Sequence, residues 1–440
     1  MKKLINFLTS KINYIIVIYT FIQLGMVLNL KTDYRSDAQY YYKLAEECIE
    51  SNEFYPAKHQ IHEDYIVAPL YINALIILLT IYNSTITIGI FNIVLILIQI
   101  ILLYKITVKI FSQDIARLTI LLFVLYLNTL GLILQNYTEL FFLLLITSSI
   151  YFFTLNKSLF FILSGIFLGA AIAVRPLAWA LLLAFFSIQI FTSIKNKKIV
   201  FNYFHVYSGT FIFIILFGGF TFLHFGKFEF TSTTGPVNLL LGANDDATGG
   251  FNSTVFEKGK AGYIEYPDSL TYIQKGEFYK EQTVAWIRAN PIKWLELVPL
   301  KFFHTYGWDD ISLSSLLGYN YTNFLRVLRI FSSEGDLKIA LPNTSTFDKV
   351  FYFSILSLSH LYYYLLLFTI VLRIYHVYKK KLNTDVTSLI LFFSFFATLM
   401  IMITVGTPRY KYPMFILLLP FAASYPQLKF GIGKNNIENK

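Results

Sequence analysis

Asp37 stands in the stretch Asp33-Tyr34-Arg35-Ser36-Asp37-Ala38-Gln39-Tyr40-Tyr41, which is polar, rich in tyrosine and follows directly on an apolar run. A carboxylate held at the water-facing end of a membrane helix meets a lipid-borne and a water-borne substrate together. There it can act as general base on a hydroxyl. The competing role for Asp37 is as N-cap of the helix predicted from about Ala38, a position that Ser36 can also fill. Glu139, in Gln135-Asn136-Tyr137-Thr138-Glu139, lies between two apolar runs. At a span boundary its charge is tolerated better than at mid-bilayer, where insertion costs about 2.5–3.5 kcal/mol. It serves equally as a helix-start carboxylate favoured by the helix dipole.

Cations are placed in the same way. Arg175-Pro176 breaks an apolar stretch running from Leu159 to Phe191. Arginine is suited to bidentate phosphate binding, although an interfacial arginine that snorkels to water reads the same. Near the end of the chain, Gly406-Thr407-Pro408-Arg409-Tyr410-Lys411-Tyr412-Pro413 packs two cations between prolines. Lys301 and His304, in Lys301-Phe302-Phe303-His304, are candidates of the same kind. The run His59-x-x-His62-Glu63-Asp64 has metal-ligand residues but no second group at metal-site spacing, so no metal site is assigned. Asp245-Asp246 and Asp309-Asp310 read as turns. No phosphate-cradling glycine loop, Ser-His-Asp arrangement or zinc signature is present. A single cysteine, Cys48, excludes an intrachain disulfide and a cysteine-based zinc site.

The elements that must position these residues follow from composition. The 440 residues are 56% hydrophobic and 14% charged, with 44 Phe and 32 Tyr. Soluble domains carry about 25% charged residues, so this is the composition of a polytopic membrane protein. The net charge of +10 is spread in short clusters between apolar runs, as in cytoplasmic membrane loops, and excludes a nucleic-acid partner. Apolar runs near 12–30, 86–104, 117–135, 138–155, 158–174, 176–194, 203–223, 350–373, 386–405 and 411–428 each approach the roughly 20 residues that a span needs. The first run is too long for a signal peptide and no cleavage site follows it, so it is read as an uncleaved span.

A further run, 68–82, is short and contains Pro69, Tyr71 and Asn73. If it does not span, the cytoplasmic side collects Lys2, Lys3, Lys11, Lys105, Lys109, Arg117, Lys157, Lys195, Lys197, Lys198, Arg373, Lys379, Lys380, Lys381, Lys429, Lys434 and Lys440. If it spans, every cluster from Lys105 onward moves outside, against the positive-inside rule. The expectation is therefore an all-α polytopic protein with about ten transmembrane helices, both termini cytoplasmic and 68–82 lying at the outer interface. Three regions follow: 1–223, a transmembrane catalytic module with an acidic first outer loop (about 31–85); 224–349, a larger outer-face segment with interfacial helices; and 350–440, C-terminal helices with a cytoplasmic tail. Asp37, Glu139, Arg175, Lys301 and Arg409 then share one face. Within 224–349 a turn-rich piece, 238–250, precedes a helix predicted from Gly276 to Ala289. Asn290-Pro291 ends that helix, and an aromatic headgroup-level helix runs from Trp294 to Trp308.

This pattern resembles the GT-C class of membrane glycosyltransferases. It is most similar to glycosyltransferase family 39, which includes the lipid A aminoarabinose transferase and protein O-mannosyltransferases. The resemblance is carried by Asp37 followed by Tyr40-Tyr41 and Ala45-Glu46, by the Pro69-Leu70-Tyr71 helix, and by Glu139 opening a later span. Arg175-Pro176, the Asn238–Gly250 loop, Ala285–Pro291 and the Arg409-Tyr410-Lys411-Tyr412-Pro413 turn complete it. Two departures stand out. Val67-Ala68 replace a basic residue that commonly precedes Pro69, and Tyr40 stands where the aminoarabinose transferase has an arginine.

The resemblance implies a polyprenyl-phosphate sugar donor with its tail in membrane lipid, and an acceptor hydroxyl on a glycolipid, glycan or protein. It implies a periplasmic active site in a bacterial inner membrane. Asp37 would be the base, with Glu139, Tyr40 and Tyr41 orienting substrate, and Arg175, Arg409, Lys301 and Tyr410 holding phosphate. No cofactor is obligatory on this reading, with a divalent cation left open. The alternatives are an O-antigen polymerase or ligase, which would lack the acidic first loop, and a polyprenyl-linked sugar transporter or flippase. Transporters tend to place charges at the midplane, often in repeats.

Overall fold

The computed structural model describes residues 7–30, 32, 34–265, 269–310, 312–332, 345–380 and 385–430. Lys31, Asp33 and both chain ends, including the tail lysines Lys434 and Lys440, lie outside the described residues. Seventeen α-helices are described: α1 (Ile12–Asn29), α2 (Asp37–Glu50), α3 (Pro69–Ile81), α4 (Thr85–Ile110), α5 (Gln113–Val124), α6 (Leu127–Ile133), α7 (Glu139–Phe153), α8 (Ser158–Val174) and α9 (Trp179–Asn196). They continue with α10 (Asn202–Phe225), α11 (Gly235–Leu241), α12 (Tyr272–Ala289), α13 (Pro291–Tyr306), α14 (Leu313–Ser332), α15 (Thr346–Lys380), α16 (Asp385–Ile403) and α17 (Tyr412–Phe430). Among the described residues the β-structure is one isolated bridge, Gly250 with Gly406.

Among the described residues six helices are long and apolar enough to cross a membrane: α1, α4, α9 with the turn before it, α10, α15 and α16. The chain is an integral membrane protein of all-α class. Four of the ten expected spans take another form. The run 117–135 is broken into α5 and α6, which meet at 60°. An apolar run records hydropathy and not direction, so the bend at Leu125-Tyr126 left no mark in it. The other three, α7, α8 and Tyr412–Tyr425 of α17, are shorter apolar helices, as is α3. At 1.5 Å per residue the 15 residues of α7 reach about 22 Å, less than the roughly 30 Å of a hydrocarbon core. All three border charged residues: α7 opens on Glu139, α8 stops at Arg175, and α17 follows Arg409 and Lys411.

The α3 segment buries Tyr71, Ile72, Asn73, Leu75, Ile76 and Leu79 and packs against α2, α8 and α4. Its polar residue is satisfied internally: Asn73 Nδ2 donates to Tyr55 O at 2.6 Å and to Pro69 O at 2.9 Å. The first loop is also tied to the long polar segment, where Thr233 N donates to Ile66 O at 2.8 Å. Helix α12 begins at Tyr272, earlier than the predicted Gly276, because Thr271 and Gln274 form a capping box. It ends at Asn290, and Pro291 opens α13.

Candidate active site

Helix α2 begins at Asp37 with Ser36 in the cap position at φ +50°, and no side chain caps it. The capping role open to Asp37 and Ser36 is thus unused. A non-glycine residue at positive φ carries strain of about 1–3 kcal/mol that the surroundings must hold in place. Freed from capping, Asp37 Oδ2 accepts from Arg409 Nη1 at 2.7 Å. Glu139 Oε1 accepts from Arg409 Nε at 2.8 Å and from Arg175 Nη1 at 2.9 Å. The four residues therefore form one chain of alternating charge, Asp37–Arg409–Glu139–Arg175. Its two carboxylates differ: the Asp37 side chain is 48% exposed and that of Glu139 only 1%.

Aromatic rings shield the guanidiniums from solvent. Tyr137 faces Arg409 with Cζ 4.0 Å from the ring centre, and Tyr410 faces Arg175 at 5.0 Å. Such contacts strengthen as water is excluded. Burial works against the Arg409 charge, but the carboxylates of Glu139 and Asp37 outweigh it and hold the proton more firmly than usual. Tyr41 is buried edge-on against Tyr71 at 6.0 Å. Burial, then the negative charge of Asp37, push its phenol well above the ordinary range, so it stays neutral. Tyr40 packs edge-on against Tyr65 at 6.4 Å.

The separation of Asp37 and Glu139 is set by an asparagine. Asn136 Nδ2 donates to Ala38 O at 3.0 Å, while its Oδ1 accepts from Tyr71 at 2.8 Å. The turn carrying Asn136 is held in its place by Asn92, whose Nδ2 donates to Ile133 O and Gln135 O at 3.0 and 2.9 Å. Three elements distant in sequence, α2, α3 and the α6–α7 link, are locked together within one turn of the carboxylates.

Beside this chain lies a second buried cluster that the sequence reading missed. Lys411 Nζ is 3.2 Å from Asp309 Oδ1 and also donates to Trp308 O. Tyr126 donates to Asp309 Oδ1 at 2.6 Å, and Asn128 Nδ2 to Asp309 Oδ2 at 2.7 Å. Ser312 donates to Asn128 Oδ1 at 2.7 Å. The 312 backbone reaches so close to α6 that a Cβ on Gly131 would sit 2.0 Å from the Ser312 carbonyl oxygen. Burial pushes the Asp309 carboxyl up and the Lys411 ammonium down, against the attraction between them. A cavity of about 10 Å³, the size of a single water, is bordered by Glu139, Arg409, Asp309, Tyr126 and Tyr412. Into this neighbourhood Glu139 brings Oε2, a buried oxygen with no hydrogen-bond partner. Asp309-Asp310, expected as a turn, is buried at 3% and 0% exposure. The available signal was Asn128, a polar residue inside an apolar run, which requires a buried partner.

Of the other expected site residues, Lys301 is placed apart from the carboxylates. Its ammonium donates to Ile403 O at 3.3 Å and lies 5.6 Å from the centre of the Trp294 ring. It is fully buried, and burial lowers it to about 8. Its backbone supports the Arg409 turn, since a Cβ on Gly406 would fall 2.3 Å from Lys301 O. The 238–250 piece docks on the same turn, with Gly406 N donating to Gly249 O at 2.9 Å. The His59–Asp64 run is engaged otherwise, as Lys275 Nζ donates to Asp64 Oδ1 at 2.9 Å and His62 O at 2.8 Å. Among the described residues no three His, Cys, Asp or Glu side chains gather as a metal-ligand set.

No family model matches the chain, and no curated protein matches it significantly. Among solved structures, three crystal forms of the Archaeoglobus fulgidus oligosaccharyltransferase are similar to it. The form tethered to an acceptor peptide containing the NVT sequon gives a TM-score of 0.46 at 14% identity, over 97% of this chain and 52% of that one. The complex with Zn and sulfate gives 0.48 at 13%, over 95% and 49%. The apo form gives 0.47 at 14%, over 97% and 52%. This chain spans about half the length of that protein, and a likeness at this level says nothing of what the chain does.

Proposed function

We propose that this chain is an inverting GT-C-type glycosyltransferase that moves a sugar from a polyprenyl-phosphate donor to an acceptor hydroxyl at the outer face of a membrane. The observation that supports it is the Asp37–Arg409–Glu139–Arg175 chain. A half-open carboxylate stands next to guanidiniums held at hydrogen-bonding range, at the polar ends of apolar helices. This is the pairing that glycosyl transfer from a lipid phosphate requires. A base must meet the attacking hydroxyl, and fixed cations must meet the leaving group.

In the reaction Asp37 takes the proton of the acceptor hydroxyl, a role worth about 10²–10⁴ in rate. The oxygen forms its bond to the anomeric carbon from the face opposite the phosphate. The bond from that carbon to the phosphate oxygen breaks, and the electron pair leaves with the lipid phosphate. The remaining N–H donors of Arg409 and Arg175 take up the charge that grows on that oxygen, where preorganised donors act most strongly. Glu139 keeps both guanidiniums aimed, and Tyr40 and Tyr41 line the approach of the sugar or the acceptor. Fixed cations receive the phosphate, so no nucleotide enters. The acidic first loop and the long segment 224–349 would face the periplasm of a bacterial inner membrane, with both termini inside.

The test is to incubate the purified protein in nanodiscs with a panel of polyprenyl-phosphate hexoses and pentoses and an acceptor mixture, following polyprenyl phosphate release. One donor should release phosphate and give a product of opposite anomeric configuration. Retention of configuration would contradict the single displacement, and release from a nucleotide sugar alone would contradict the donor class.

A further inference from the structure

We propose that the buried Asp309–Lys411 ion pair positions Arg409, holding the last polar turn at the height from which one guanidinium reaches both Asp37 and Glu139. The inference rests on the reading of Arg409 as a phosphate-holding group. Arg409 sits in a turn whose two ends are fixed independently. At the first end Gly406 N donates to Gly249 O and the turn lies against the Lys301 backbone. At the other end Lys411, 1% exposed, runs inward to Asp309 and Trp308 O, with Nζ 4.7 Å from the centre of the Tyr363 ring. Between these anchors the chain is a hydrogen-bonded turn carrying Pro408, with Tyr410 N donating to Thr407 O and Tyr412 N to Arg409 O at 3.2 Å each, so the placing of the turn, and with it of the Arg409 side chain, depends on the anchors.

The form of the Asp309 cluster argues for geometry over stability. A buried ion pair usually gains little over a well-packed neutral pair, because desolvation offsets the attraction. Its directional bonds, by contrast, allow few arrangements. Asp309 Oδ1 takes Tyr126 and Lys411, Oδ2 takes Asn128, and Asn128 is itself fixed by Ser312. Networks satisfied in this way are rigid. Tyr126 and Asn128 come from the bend between α5 and α6, so the turn is referenced to the broken helix that also leads, through Asn136, to Asp37. The positions of the base and of its arginine are therefore set from the same bend.

The experiment reads the Asp37–Arg409 contact without relying on transfer. Asp37 is half-exposed, so its modification by a water-soluble carbodiimide with glycine ethyl ester can be followed by peptide mass spectrometry on the full-length purified protein. In Asp309→Asn/Lys411→Met, which keeps the volume and removes both charges, Asp37 should be modified several-fold faster than in wild type. Arg409→Ala should show the same rise, and combining the changes should add nothing further, as for residues acting on one contact. In transfer assays the paired variant should lose about 100-fold in kcat, the scale of an ångström-sized misplacement, with donor KM changed less than three-fold. A wild-type modification rate in the paired variant, with a raised rate in Arg409→Ala, would overturn the proposal. Should the paired variant not fold, Tyr126→Phe decides, since it removes one hydrogen bond to Asp309. A smaller rise supports the positioning role and no rise contradicts it. Absence of transfer by the wild type would count against the proposed reaction and leave the labelling result intact.

Discussion

Arg409 and Lys411 stand two residues apart on one turn, and each meets an aspartate. Arg409 reaches Asp37, whose side chain is 48% exposed, and Lys411 reaches Asp309, at 4%. The two pairs are alike in charge and in length, 2.7 and 3.2 Å, and differ in what water is allowed to do. Asp309 is held by Tyr126, Asn128 and Lys411 and borders a cavity no larger than one water, so the pair has little room for exchange and serves to hold. Around Asp37 one side is open, so a hydroxyl or a phosphate oxygen can enter and compete for the same groups. On the proposed reaction, burial is what separates a fastening from a reagent built of the same chemistry.

Breaking each pair should accordingly register in a different measurement. Asp309→Ala leaves the Lys411 ammonium buried and uncompensated and should destabilise the fold by about 3–5 kcal/mol, read by denaturant unfolding in detergent. A loss below 1 kcal/mol would mean that water reaches the cluster. Arg409→Lys keeps a charge but gives up the planar fork that spans two carboxylates. It should lower kcat about 100-fold, the effect of losing one preorganised donor, with little change in folding. Near-normal kcat would show that charge alone suffices there.

Lys301 gives the smallest and most specific effect. Burial lowers its ammonium to about 8, so a role as a cation for phosphate would fade as pH rises through about 8, and Lys301→Arg should extend activity to higher pH. Stability should run the other way. The unfolded chain keeps this proton up to the ordinary lysine value of about 10.4, so folding loses a proton between the two values and gains stability as pH rises. Activity and stability that rise together across this range would exclude the phosphate role.

The residues of the open pair were legible in the sequence because charge at the edge of an apolar run is conspicuous. Asp37, Glu139, Arg175 and Arg409 were each visible this way, and the structure brings the four into contact. Lys301 was selected by the same signal, yet it lies beneath the turn with its ammonium on Ile403 O. Sequence position places a residue at a level of the bundle and does not fix its direction. The closed pair was hidden for a different reason. Asp309-Asp310 reads as a turn, and nothing local shows that the bend at Tyr126 and Asn128 comes to meet it. The all-α membrane class followed from composition, and α8 occupies the same residues as the apolar run 158–174, whereas the break between α5 and α6 is a change of direction that hydropathy does not record.

The central claim is that Asp37 removes the acceptor proton beside arginines that hold the lipid phosphate. Its most direct test is the rate of sugar transfer by Asp37→Asn at saturating donor, with donor affinity measured on the same sample. A folded variant that binds donor as tightly as wild type and transfers sugar at least about 100-fold more slowly is the predicted result. Transfer at the wild-type rate would contradict it.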